Sequence, residues 1–517
     1  MKHAVASLRF SLSEDAPYYQ QLIEQIQHGI ASGQLSVNDK LPSSRTLALS
    51  LGVSRSTTSR AYEQLIAEGI LVSEQKRGVF VAATTISSIA EQSVRATSPI
   101  EVEKMANEEK TVEQAWLAFD SGADVSVFPC KEWAASMRRS WLKPDWRVLN
   151  GDYESGLPAL KEAIRDYLYQ VRGLLCDGEQ VFLTAGNRDA LLQLQHVFVS
   201  VAKKAKWWVE DPTYLPIIET LSQQGNVGLL PMDDDGACLQ TADNSSFSPD
   251  NIAVLTPGRQ YPLGITMSSP RRQEWIQRLQ DPSSSWWLVE DDYDNEFVYQ
   301  GRSNVPLMQT ASLHEVAKDR LFFIGSFSKV LFRGLRLGFI IAPLKHAKQL
   351  ARSQKLLGSS VSLPIQPAVA DFMIQGNFGR HMNRMRRYYR LKRDALLALL
   401  EACLVPWFVW QRPSGGMHVL IELAPCWFDE LRGPVETMEA DKSKGLKPPL
   451  WDEVIAARMK EQGLLLSTLS SHFVKKPSRQ GFILGFSSTP EDVMRVLVQA
   501  LAEVCRELCP RDRHIRV

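Results

Sequence analysis

The chain has 517 residues, too many for one compact core, so two or three domains are expected. Its 44% hydrophobic and 23% charged residues are ordinary for a globular protein, and a formal net charge of +1 lends no bulk electrostatic support to a nucleic-acid or membrane partner. Seven scattered cysteines (130, 176, 238, 403, 426, 505 and 509) lack metal-ligand spacing, so no metal site is expected and a reducing cytoplasm fits best. Met1–Ala16 has no continuous apolar region and no uninterrupted apolar run approaches about 18 residues, so neither export nor a membrane span is expected.

The spacing of Leu22, Ile23, Ile26 and Ile30 predicts a helix over residues 18–30, stopped at Gly33. Ser43 or Ser44 can cap a short helix with Leu47, Ala48 and Leu51 inside, ended by Gly52; Ser54 can cap a second with Ala61, Leu65 and Ile66 inside. The second helix begins with Arg55, Ser56, Thr57 and Ser59, short donors and one arginine suited to base edges and phosphates in a major groove. Beyond Gly69, Ile70–Val72 and Val79–Val81 flank the turn Glu74-Gln75-Lys76-Arg77-Gly78, a hairpin wing with two cations at its tip. A protein-interaction module would share this outline. Residues 1–83 carry eight Lys/Arg against seven Asp/Glu, a net of +1 that does not decide the matter. The placement of Arg45, Arg55, Lys76 and Arg77 on the elements that would face a duplex favours double-stranded DNA.

Leu41-Pro42-Ser43-Ser44-Arg45, Leu51-Gly52-Val53-Ser54-Arg55, Ala61-Tyr62-Glu63-Gln64-Leu65 and Gly78-Val79-Phe80-Val81 closely resemble the winged helix-turn-helix of GntR family regulators. That resemblance implies a DNA-binding domain over residues 1–83 with operator contacts from Arg45, Arg55, Ser56, Thr57 and Ser59 and with Gly78 in the wing; Ser54 at the helix start and Lys76 and Arg77 at the wing tip join them by placement. Many relatives carry a basic residue where this chain has Ser59.

Residues 84–114 are rich in Thr, Ser, Glu and Ala with no sustained period, and read as a linker or as a weakly signalled surface helix around Val102–Val112. From Trp116 the pattern changes. Short, continuously apolar runs (Val181–Leu183, Trp207–Val209, Ile252–Leu255, Trp286–Val289, Leu321–Ile324 and Phe339–Ile341) alternate with helical stretches, which predicts an α/β domain over 115–517 built on a mainly parallel sheet. Five of the runs end in polar or glycine-bearing segments, at the edge where such sheets bind ligands. There Lys329, flanked by Ser326 and Ser328 and followed by Arg336, suits a phosphorylated aldehyde. Gly186-Asn187-Arg188 opens a helix whose N–H groups can cradle the phosphate, Asp291 can pair with a pyridinium nitrogen, Tyr293 can bond a phenolic oxygen and Tyr214 can stack on the ring. Taken singly, each is a loop or core residue; together they point to pyridoxal 5'-phosphate.

Gly156-Leu157-Pro158-Ala159-Leu160, Glu290-Asp291-Asp292-Tyr293-Asp294, Ser326-Phe327-Ser328-Lys329, Gly334-Leu335-Arg336-Leu337-Gly338 and Gly415-Gly416-Met417-His418 resemble the fold type I aminotransferase-like domain. Behind a GntR-type winged helix this is the layout of the MocR subfamily. The resemblance implies that Lys329 forms the internal aldimine, that Asp291 faces the pyridine nitrogen, and that the protein is a domain-swapped homodimer regulating transcription. Its effector would be the cofactor itself or an amino compound; an active aminotransferase with an incidental DNA-binding module is the alternative. Two departures bear on that choice. Relatives show Thr-Pro-x-His-Gln where this chain has Arg259, and a carboxylate-gripping arginine where it has Ile483, with Arg479 four residues earlier. Residues 425–450 read as an insertion.

Overall fold

A computed structural model describes residues 10, 17–67, 69–74, 77–82, 116–202, 205–225, 227–239, 250–301, 303–358, 361–428 and 450–509. The predicted linker, its alternative helix and nearly all of the predicted insertion lie outside these residues. The chain divides into two units, Met1–Gln114 and Ala115–Val517.

In the first unit, helices α1 (Tyr18–Ala31), α2 (Ser44–Leu51) and α3 (Arg55–Ala67) precede a hairpin of β1 (Leu71–Glu74) and β2 (Gly78–Val81). Leu22, Ile26, Leu47, Ala61, Leu65 and Val81 form its core. Ser43, not Ser44, caps α2: its Oγ accepts from Thr46 N–H at 3.1 Å, and Gly52 ends the helix in the left-handed region with φ 66°. Ser54 caps α3 by accepting from Thr57 N–H at 3.2 Å. Two buried hydroxyls fix α3 against the preceding segment, Thr58 donating to Ser44 O at 2.8 Å and Tyr62 to Pro42 O at 2.9 Å.

The second unit begins with β3 (Leu117–Ala118) and continues through β4 (Val181–Thr184), β5 (Ala205–Asp211), β6 (Gly228–Asp233), β7 (Gly236–Ala237), β8 (Asp250–Leu255), β9 (Trp286–Asp292), β10 (Leu321–Ser326) and β11 (Gly338–Ile341). Strands β4 to β11 make one sheet in the order β4-β11-β10-β9-β8-β5-β6-β7. From β10 through β6 every neighbouring pair is parallel, whereas β11 runs antiparallel to β10 and β4, and β7 to β6. All six predicted apolar runs are strands of this sheet. They read as continuous apolar runs because both faces are covered: Phe182, Trp207, Ile252, Val254, Phe322, Ile324 and Ile340 pack into one core, while Leu183, Trp208, Ala253, Leu288, Phe323 and Phe339 pack into another. Helices α4 (Asn187–Val201) and α5 (Leu344–Leu357) supply the first core with Leu191, Leu194, Phe198 and Leu350.

A smaller antiparallel sheet follows, of β12 (Phe408–Trp410), β13 (His418–Leu423), β15 (Ser467–Thr468) and β16 (Gly481–Gly485), ordered β12-β13-β16-β15. The two-residue β14 (Leu464–Leu465) pairs with β3 instead.

Candidate functional site

The carboxyl ends of β4, β5, β8, β9 and β10 surround a cavity of about 320 Å³. All ten residues singled out in the sequence line it: Gly186, Asn187, Arg188, Tyr214, Asp291, Tyr293, Ser326, Ser328, Lys329 and Arg336. Ser121, Thr213, Thr256, Tyr261 and Arg333 line it too, and the sequence did not mark them as site residues. Tyr261 directly follows Thr256–Gln260, the polar end of the β8 run; its ring meets Tyr214, Tyr293, His418 and His472 edge-on, with centroids 5.4–6.1 Å apart.

One end of the cavity is built for an anion. Gly186 (φ 109°) begins α4 without a side-chain cap, so the first-turn N–H groups lack the partners a cap would supply. A Cβ placed on Gly186 would lie 3.7 Å from Arg336 Nη2, so the guanidinium sits beside the helix start. Arg336 itself is held at φ 47°, a left-handed conformation that costs a non-glycine residue roughly 1 kcal/mol. Among the described residues its side chain has no hydrogen-bond or ion-pair partner. Arg188 reaches only as far as Glu219, at 3.8 Å between two exposed side chains.

Lys329 lines the same cavity, and its Nζ donates to the backbone oxygen of Ser121 at 2.8 Å and to its Oγ at 3.3 Å. Burial lowers the lysine's pKa, partly opposed by the charge of Asp294, so the nucleophilic neutral amine is easier to reach. Arg333 also lines the cavity and pairs with Asp120.

The three consecutive acids of β9 have separate tasks. Glu290 accepts the N–H groups of Leu307 and Met308, both at 2.9 Å, and so caps the short helix Leu307–Ala311. Asp292 forms an ion pair with Arg172, both side chains at most 3% exposed, and also accepts from Asn295. Asp291, on the other face, lines the cavity and accepts from Asn187 Nδ2 at 2.6 Å. Burial pushes Asp291 up to about 7 and the Asn187 bond works against it. Burial likewise pushes Glu210 up to about 7, although Thr256 donates to it through N–H (3.1 Å) and Oγ1 (2.5 Å). The buried hydroxyl of Tyr293 has no hydrogen-bond partner among the described residues.

Both departures have structural counterparts. Arg259 is buried, donates to Gly415 O and lies 3.7 Å from Asp294, filling the space where Gly416 would otherwise carry a Cβ. Ile483 is buried in β16, paired on both sides by β13 and β15. Arg479 cannot take over from it, because Nε and Nη2 form a two-pronged bond to Glu422 at 2.5 and 2.6 Å.

In the first unit, Arg45, Ser54, Arg55, Ser56, Arg77 and Gly78 are exposed, and Thr57 and Ser59 are half-buried. Ser54 Oγ also bonds the hydroxyls of Ser56 (2.7 Å) and Thr57 (2.8 Å), and Arg77 pairs with Glu74. Ser59, Arg77 and Gly78 line a cleft between α3 and the hairpin. Lys76 lies outside the described residues.

Fold and sites together define a winged helix-turn-helix unit and an aminotransferase-like unit in one chain. A model of bacterial regulatory proteins of the gntR family matches residues 18–81, and one of aminotransferase class I and II matches residues 124–469. The probable rhizopine catabolism regulatory protein MocR of Rhizobium meliloti is 31% identical over 495 residues, covering 94% of this chain and 93% of that protein. The HTH-type pyridoxine biosynthesis transcriptional regulator PdxR of Corynebacterium glutamicum is 29% identical over 489 residues, covering 93% and 95%. The α-aminoadipate aminotransferase LysN of Thermus thermophilus, solved with N-(5'-phosphopyridoxyl)-L-leucine, superposes with a TM-score of 0.62 over 77% of this chain and 94% of that one; at 21% identity this is a likeness of fold. The chain belongs to the MocR subfamily of GntR family transcriptional regulators. Among the described residues, no helix is long and apolar enough to cross a membrane.

Proposed function

We propose that this regulator holds pyridoxal 5'-phosphate in the cavity at the sheet edge and binds operator DNA through α3 and the wing. One observation carries the cofactor reading: a lysine, a buried carboxylate and an uncapped helix start beside an unpaired arginine all line one cavity. The residues fit the group. Arg336, Ser326, Ser328 and the first turn of α4 would hold the phosphate; Asp291 would meet the ring nitrogen, Tyr293 the phenolic oxygen and Tyr214 the ring face. Bound there, pyridoxal phosphate supplies an aldehyde that condenses with primary amines. Lys329 is the amine this chain offers, with its proton affinity lowered by burial and its position fixed by Ser121.

The effector on this reading is the cofactor itself. Ile483 and the engaged Arg479 leave no carboxylate grip at the position where relatives have an arginine. A homodimer is part of the proposal: Trp141, Leu142, Trp146 and Leu149 are exposed on the consecutive helices Cys130–Leu142 and Trp146–Asn150, an apolar surface suited to a second copy. Ligand-dependent dimer geometry would then alter the spacing of the two winged helices and the half-sites they reach, in the cytoplasm.

The test is a visible spectrum of the protein with added pyridoxal phosphate, for wild type and Lys329→Ala, before and after borohydride. An absorbance band that borohydride fixes to wild type alone is expected; a colourless wild type that takes up no cofactor would end the proposal. Footprinting with and without cofactor tests the coupling, which identical protection and affinity would exclude. Titration with amino acids tests the effector: a band displaced at sub-millimolar amine would make an amino compound the ligand.

A further inference from the structure

The helix start that faces the anion end belongs to α4, which follows β4, while the acid belongs to β9. In the sheet order β4-β11-β10-β9 these strands are three places apart, roughly 14 Å at the usual spacing. One side chain spans what remains of that separation. Asn187, the first residue of α4, donates Nδ2–H to Asp291 Oδ1 at 2.6 Å. Its own Oδ1 is buried without a partner among the described residues, so this bond is the side chain's hold on its surroundings.

We propose that Asn187 is a positioning residue for Asp291, keeping the carboxylate ionised and oriented for a ring nitrogen while the backbone of the same residue belongs to the phosphate cradle. The sequence suggested only the second of these roles. The inference rests on the proposed cofactor site and deepens it: the two groups meant for opposite ends of the ligand are tied together by a single side chain.

The electrostatic setting explains why such a device is needed. Around Asp291 stand Asp292 and Asp294 at the end of its own strand and Glu210 on β5, all of which disfavour its charge, as does burial. Tyr293 follows on the same segment, and Lys329 and Arg336 come from the segment after β10. Within this group the Asn187 N–H is the neutral donor that favours the ionised form. Removing it should move the titration of Asp291 upward.

The probe is pyridoxamine 5'-phosphate, which has the ring and phosphate but no aldehyde to react with Lys329. Its dissociation constant is measured from about pH 5 to 9 for wild type, Asn187→Ala, Asn187→Asp and Asp291→Asn. In Asn187→Ala the acid limb of the profile should move up by about one pH unit, with binding about fivefold weaker near pH 7, about tenfold weaker below about pH 6, and the two proteins converging at alkaline pH. Asn187→Asp, which sets a second carboxylate against Asp291, should move it further. Asp291→Asn should lack this limb and keep only the titrations of the ligand's own groups. A loss in Asn187→Ala that is equal at every pH, or an unchanged profile, would assign the side chain to the phosphate alone and overturn the inference with the cofactor site intact. A limb that persists in Asp291→Asn would overturn it as well. Wild type that takes up neither pyridoxamine phosphate nor pyridoxal phosphate would remove both the inference and the site.

Discussion

The winged unit's cations and the acids at the sheet-edge cavity stand in opposite solvents. Arg45, Arg55 and Arg77 stand in water on a small domain whose core is little more than a dozen residues. Asp291 and Glu210 are buried at the edge of an eight-stranded sheet whose two faces are covered by two cores. An exposed cation acts through long-range attraction that salt screens. A buried acid acts through its protonation state, which packing sets. The same chain therefore has one site that should respond to ionic strength and another that should respond to pH.

The largest expected effect is at the buried site. Lys329→Ala should abolish borohydride-fixed cofactor, read by absorbance and intact mass, while thermal stability without cofactor changes little. Next, Arg172→Ala leaves Asp292 charged and unpaired in the core, which should cost about 3–5 kcal/mol in chemical denaturation of the larger unit. A loss below about 1 kcal/mol would mean that water reaches that pair and that the contrast between units is overstated.

The pH response has a definite sign. Asp291 has its proton affinity raised to about 7 in the fold, so the folded chain holds that proton more tightly than the unfolded chain. The contribution to stability is complete below about pH 4 and is lost as pH rises to about 7. Without cofactor, wild type should therefore lose stability relative to Asp291→Asn between pH 5 and 8, by on the order of 2–4 kcal/mol. A constant difference would show that Asp291 is already ionised at pH 5.

At the exposed site effects should be smaller and salt-dependent. Arg55→Ala should weaken operator binding by about 1–3 kcal/mol, with a shallower salt slope if the contact is to phosphate and relaxed base preference if it is to a base. The smallest effect is Ser43→Ala, which removes the α2 cap and should cost about 1 kcal/mol in melting of the first unit.

How much of this was legible in the sequence follows the same division. The winged unit is held by local signals, so Gly52, Ser54 and the apolar spacing of α1 and α3 were readable one segment at a time. The six sheet strands were readable because burial on both faces makes them continuously apolar. β6 escaped notice because Pro231 interrupts it, and the smaller sheet because its strands are as short as two residues. Ser121 was invisible for a different reason. It lies 208 positions from Lys329, and no periodicity links a loop serine to a distant lysine. The tasks of Glu290 and Asp292 were within reach: they share a face with Leu288, whereas Asp291 shares one with Val289.

The alternation along β9 also limits how this gene can change. Exchanging one of the three acids removes one task, but deleting or inserting a single residue between Trp286 and Glu290 would turn the whole end of the strand to the opposite face. The helix cap and the partner of Arg172 would then face the ligand, and the cavity acid would be driven among hydrocarbon. A substitution in this strand removes one of these tasks, whereas a change in its length should destroy the fold and the site together.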